Sequence, residues 1–118
     1  MQQSDTSGAA SIEAGDAIAA VRAGGPLLLD VREQQEWDRG HSPLATLLPM
    51  SQLQARLGEV PEDRRLLVVC HSGQRSARVA DALALAGYDA VNVLGGMIAW
   101  HAAGGEIVAD GTEAPRVD

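Results

Sequence analysis

Three short, largely apolar runs punctuate the chain: LLLDV at 27–31, LLVVC at 66–70 and AVNVL at 90–94. Near-continuous apolar runs of this length suit strands buried on both faces, as in parallel sheets, rather than the alternation of a half-exposed strand. The segments between them carry helical spacing. Residues 14–23 put Ile18 and Val21 on one side and stop at Gly24-Gly25. Residues 76–86 align Val79, Leu83 and Ala86 on one face, with Gly87 positioned to end the helix. Shorter helical patterns fall at 52–57, ended by Gly58, and at 97–102. The polar stretch 33–43, EQQEWDRGHSP, predicts a turn-rich connection, and 44–48, between two prolines, predicts a short extended piece. Strands alternating with helices predict one α/β domain, with a mainly parallel sheet and helices on both faces. Residues 1–10 and 108–118 are polar and predict flexible ends around a domain at 11–107.

Composition narrows this picture. A chain of 118 residues, 46% hydrophobic, is enough for one core and too little for two ordinary domains. Phe is absent and aromatics make up 3%, so the core must be built from Leu, Val, Ile and Ala. The net charge is −7, and every basic residue is Arg. That acidic balance argues against nucleic acid or an anionic membrane as partner, and an anionic substrate would need local positive potential. A single Cys excludes an intrachain disulfide and a multi-Cys zinc site. The opening residues show neither a basic nor an apolar leader region, and no apolar run is long enough to span a bilayer. The expected setting is soluble and cytoplasmic.

The chemistry concentrates in VVCHSGQRSARVADALALAG. A lone Cys ending an apolar strand is, by itself, a small buried hydrophobe. The Gly, Arg and Ser that follow at fixed offsets, leading into a helix, change that reading. Ligands of parallel α/β sheets bind beyond the carboxyl ends of strands, where helix N-termini present unpaired N–H groups. Helix N-termini and basic neighbours lower a thiol pKa from about 8.5. Gly73 lets the loop curl, so that the N–H groups of residues 71–75 form an anion nest. Arg75 adds a permanent charge. His71, Ser72 and Gln74 offer side chains at the rim, and Ser76 opens the helix.

The segment Cys70-His71-Ser72-Gly73-Gln74-Arg75-Ser76 resembles the active-site loop of the rhodanese family, Cys-x-x-Gly-x-Arg-Ser. Three further stretches agree in order: the Asp-Val-Arg of 30–32 followed by Glu36-Trp37, the Gly-His-x-Pro of 40–43, and the Gly-Gly-x-x-x-Trp of 95–100. The resemblance covers roughly residues 11–107. It implies a central five-stranded, mainly parallel sheet, with Cys70 as the sulfur-carrying nucleophile in a cradle running from His71 to Arg75. It implies that Asp30 and Arg32 support the loop without touching the reactants. His41, after Gly40, reads as a turn or hydrogen-bonding residue more than a general base. Two departures stand out. Leu44 replaces the usual Gly after Gly-His-x-Pro, which raises a question of substrate access, and His71 replaces an Arg common at that loop position.

The function so implied is transfer of a sulfane sulfur, from thiosulfate or another donor to a thiol or cyanide, through a persulfide on Cys70. It needs no metal or organic cofactor. The chain has no second thiol to resolve the persulfide, so the acceptor is external: a small thiol, or a thioredoxin-like or other sulfur-accepting protein. Two other classes stay open. One is a non-enzymatic persulfide carrier or protein-interaction module. The other is a cysteine phosphatase or arsenate reductase; those relatives place five residues between Cys and Arg, whereas four lie between Cys70 and Arg75.

Overall fold

A computed structural model describes residues 8–118. Strand β1 (Ala10–Ile12) leads into helix α1 (Ala14–Ala23), strand β2 (Leu27–Asp30), helix α2 (Gln34–Arg39) and strand β3 (Ala45–Leu47). Two 3-10 turns follow, Met50–Gln52 and Leu57–Glu59. Strand β4 (Leu66–Val69), helix α3 (Gln74–Leu85), strand β5 (Ala90–Val93) and helix α4 (Gly96–Ala102) complete the fold. The strands form one five-stranded sheet in the order β1-β5-β4-β2-β3, and every pairing is parallel. The central strand, β4, is the one that ends at the cysteine.

The continuous apolar runs divide between two cores. Alternate strand residues point to opposite faces, so Leu28, Leu67, Val69, Val91 and Val93 join α1 and α4 in one cluster. Leu29, Leu66, Val68 and Ala90 join Val79, Ala80 and Leu83 of α3 in the other, together with Leu48, Val60 and Cys70. Helices therefore cover both faces, and the scarcity of aromatics is met by branched aliphatics, with Trp100 alone among the buried aromatic side chains of the described residues.

Three expectations need correction. The stretch 33–43 contains a helix, α2. Its start is fixed by a capping box in which Glu33 caps the backbone at Glu36 and the Glu36 side chain accepts from the Glu33 N–H at 3.0 Å. Glu at the capping position departs from the usual Ser or Thr, so the pattern was easy to miss. The candidate helix at 52–57 is instead a pair of 3-10 turns joined by turns; only Leu53 and Leu57 of that stretch pack on a core, too little apolar face to sustain an α-helix. Strand β1 was not foreseen; its three residues pair with β5 at the sheet edge, and a run so short carries no periodicity. Of the N-terminal segment 1–10, residues 1–7 lie outside the described residues.

The segment from 108 onward runs alongside α2 and the turn after it. Val108 exchanges backbone hydrogen bonds with His41 in an antiparallel bridge, and the Arg116 N–H donates to the Arg39 carbonyl. A Cβ at Gly40 would collide with the Arg116 carbonyl. Val117 packs on the α1–α4 core, and Asp118 pairs with Arg39 at 2.6 Å. Among the described residues, no helix is long and apolar enough to cross a membrane.

Candidate active site

Cys70 follows the last residue of β4, and α3 begins at Gln74, two residues earlier than Ser76. Gly73 is the capping residue, and its φ of 104° lies in the left-handed region that glycine enters without penalty. The early start tightens the loop to residues 70–73 and brings the first amides of α3 onto the sulfur. Cys70 Sγ accepts the N–H of Gly73 at 3.2 Å and that of Ser76 at 3.3 Å. Burial pushes the Cys70 thiol up. Hydrogen bonds from Ser76 first, then from the backbone N–H groups of Gly73 and Ser72, outweigh it and leave the thiol below its ordinary value. The sulfur is enclosed, with Cys70 1% exposed, yet the amides are aimed at it.

Helix α4 seals the loop from the other side. The Met97 N–H donates to the Cys70 carbonyl at 2.7 Å and the Ile98 N–H to the His71 carbonyl at 3.1 Å. The approach depends on Gly96, where a Cβ would lie 2.5 Å from both of those carbonyl oxygens. Ser72 and Gln74 stand exposed at the rim, while His71 is half-buried.

The Arg75 guanidinium is engaged by Glu36. Its two terminal nitrogens each donate to Glu36 at 2.8 Å, a bidentate pair joining α3 to α2. The Arg75 hydrogen bonds hold the Glu36 carboxyl at about 2 against a usual 4.5, over an opposing push from burial, with the Glu33 N–H assisting. Because the folded value is the lower one, the pair's stabilisation is complete above pH 4.5 and is lost as pH falls from 4.5 through about 2. Glu36→Gln is therefore expected to lower the melting temperature by a constant amount above pH 4.5, with the gap to wild type closing at lower pH; a gap that persists at pH 2 would contradict this.

Asp30 and Arg32 sit at the carboxyl end of β2, beside β4. Arg32 Nη2 meets Asp30 at 2.8 Å, Nε reaches the same carboxylate at 3.0 Å, and Nη2 also donates to the Gly40 carbonyl at 2.8 Å. Both side chains are buried. Arg32 also lines a cavity of about 120 Å³ with Glu36, Arg39, His71 and Asp118. His41 stacks flat on Trp37 at 3.7 Å, and its Nδ1 meets the Trp37 carbonyl at 2.8 Å; it is a packing residue of the α2 turn. Leu44 lines a small cleft with Ile18 and Trp100 on the α1–α4 side, away from the cavity beside His71.

Two residues of this neighbourhood escaped the sequence reading. In the sequence Glu36 stands out only as the neighbour of Trp37. Asn92 lies buried in β5 and accepts the Ser76 hydroxyl at 2.6 Å. A single amide inside an apolar strand run is itself a signal, since a buried polar group requires a partner.

Fold and site together define an all-parallel α/β domain with an amide-cradled thiol at the carboxyl end of its central strand. Residues 13–103 match the rhodanese-like domain family, and the chain belongs to that family. It is 42% identical over 84 residues to a sulfurtransferase of Allochromatium vinosum, a match covering 70% of this chain and 78% of that protein. It is 41% identical over 76 residues to the probable adenylyltransferase/sulfurtransferase MoeZ of Mycobacterium tuberculosis, covering 62% of this chain and 19% of that longer protein. Among solved structures, a rhodanese-related protein of Thermoplasma volcanium superposes with a TM-score of 0.79 at 30% identity, over 84% of this chain and 97% of that one.

Proposed function

We propose that this protein is a sulfurtransferase that carries sulfane sulfur as a persulfide on Cys70. The observation that supports this most is the convergence of the Gly73 and Ser76 N–H groups on the Cys70 sulfur. Those donors stabilise negative charge on sulfur both before and after loading.

The thiolate attacks the outer sulfur of a donor such as thiosulfate. The new bond joins Cys70 Sγ to that sulfur, the old sulfur–sulfur bond breaks, and sulfite leaves with its electron pair. An external thiolate or cyanide then attacks the outer sulfur of the persulfide and regenerates the Cys70 thiolate. The chain has one cysteine, so the second step uses an acceptor from outside, a small thiol or a sulfur-accepting protein. Enclosure of the sulfur favours a slender donor terminus over a phosphoester, and the four-residue spacing between Cys70 and Arg75 is in keeping with a small cradle. The test is mass spectrometry after incubation with thiosulfate, mercaptopyruvate or glutathione persulfide. One added sulfur atom on Cys70, removed by thiol or cyanide, is the expected result. Hydrolysis of an aryl phosphate with no sulfur loading would overturn the reading. Saturating steady-state turnover separates an enzyme from a slow carrier.

The guanidinium of Arg75 feels the sulfur's charge while Glu36 holds it in place. Arg75→Ala is expected to lower kcat/KM with thiosulfate by about tenfold or more, since a hydrogen bond to a charged group is worth about 1.5–3 kcal/mol. An unchanged specificity constant would remove Arg75 from the site.

A further inference from the structure

The guanidiniums around the cavity beside His71 differ in what holds them. Arg75 spends both terminal nitrogens on Glu36. Arg32 is buried and bound to Asp30 and to the Gly40 carbonyl. Arg39, at the end of α2, meets one carboxylate among the described residues, that of Asp118, at 2.6 Å. This pair is the open one, its side chains 36% and 47% exposed. The tail delivers Asp118 there. The Arg116 N–H donates to the Arg39 carbonyl at 2.8 Å, Val117 packs on the α1–α4 core, and Arg116 Nε meets the second Asp118 oxygen at 2.7 Å. Residues 109–114 stand off α2 and leave a cavity of about 450 Å³ against Asp38 and Arg39. Asp118 lies beyond the tethers at 116 and 117, so its carboxylate can leave Arg39 without disturbing either core.

We infer that Arg39 binds the charged end of an anionic sulfur donor, and that Asp118 is the carboxylate the donor displaces. This rests on the sulfur-transfer reading of Cys70 and deepens it by naming what holds the donor. The cavity shared by Arg39, Arg32, Glu36, His71 and Asp118 measures about 120 Å³, room for a few waters or one small oxyanion. The chain carries a net charge of −7, so an anion needs a local cation that is not firmly neutralised. Arg32 and Arg75 are held by carboxylates of β2 and α2, in a buried pair and a bidentate pair that a small anion does not dislodge. Arg39 can exchange one exposed carboxylate for another anion at little cost, because a solvent-exposed ion pair is weak. Its planar fork suits an oxyanion better than a point charge would. With the outer sulfur of the donor directed at Cys70, the charged oxygens at the other end lie toward Arg39. Asp118 thus keeps the guanidinium paired until a donor arrives.

The test compares alkylation of Cys70 by iodoacetate, an anion, with alkylation by neutral iodoacetamide, at one pH and low salt. The ratio of the two rates reads the potential on the approach to the sulfur and cancels any change in thiolate content. The chain has one cysteine, so the signal has one source. Arg39→Gln is expected to lower the ratio about threefold, the scale of an exposed ion pair, and Arg39→Lys to keep it near the wild-type value. Asp118→Asn is expected to raise it about threefold. Asp63→Asn makes the same change of charge at an exposed position before β4, at the opposite end of the sheet from Cys70, and is expected to raise it far less. The KM for thiosulfate in the loading of Cys70 should move the opposite way, rising in Arg39→Gln and falling in Asp118→Asn. A ratio unmoved by Arg39→Gln, or an Asp118→Asn gain no larger than that of Asp63→Asn, would overturn the inference. Alkylation consumes no sulfur donor, so failure here leaves the loading of Cys70 to be decided separately by mass.

Discussion

Cys70→Ser is expected to abolish sulfur loading and reduce turnover by on the order of a thousandfold or more, to background, while the fold survives. A serine hydroxyl is not ionised at neutral pH and forms no persulfide. It still accepts hydrogen bonds, so the Gly73 and Ser76 amides that now meet the sulfur keep a partner. Cys70→Ala loses the same activity but leaves those enclosed amides unpaired, at about 1–3 kcal/mol for each buried group. The serine variant should therefore melt closer to wild type than the alanine variant. Turnover retained in either one would end the assignment of Cys70 as the sulfur carrier.

The largest effect on stability is expected from Arg32→Ala. Arg32 is 2% exposed and neutralises Asp30, itself 0% exposed. Removing one partner of a buried ion pair strands the other charge, a loss of about 3–5 kcal/mol. For a domain of this size that lowers the melting temperature by about 10 °C or more. The double replacement Asp30→Leu with Arg32→Met should recover most of the loss, because no charge is left behind. Should the single variant melt like wild type, the pair would not be bracing the end of β2 beside the strand that ends at Cys70.

Much of this molecule was legible in its sequence, and the reason is local. The runs at 27–31, 66–70 and 90–94 are apolar at nearly every position because the parallel sheet is covered on both faces, and α1 ends where Gly24 allows it to end. The cysteine loop was legible because its glycine, arginine and serine sit at offsets that chemistry requires. The site's lateral partners were not. Glu36 reaches Arg75 across 39 positions and Asn92 reaches Ser76 across 16, and no local pattern encodes such pairings. Helix α2 was hidden by its polarity: none of its residues is fully buried, so it rests on a capping box and on side-chain bonds that hydrophobic spacing does not reveal. The loop is also two residues shorter than its sequence suggests, because Ser76 has the chemistry of a cap while Gly73 has the required backbone geometry.

The bonds from α4 to the Cys70 and His71 carbonyls carry one more consequence. In a planar trans peptide the carbonyl and the N–H that follows it point to opposite sides. Anchoring those two oxygens on α4 therefore turns the N–H groups of His71 and Ser72 the other way, and the Ser72 N–H is among those that stabilise the ionised sulfur. Were the His71–Ser72 peptide plane to flip, its carbonyl dipole would face that sulfur with its negative end. A short helix that meets no reactant thus fixes the electrical polarity of the loop, and Gly96 is the residue that lets it come close enough to do so.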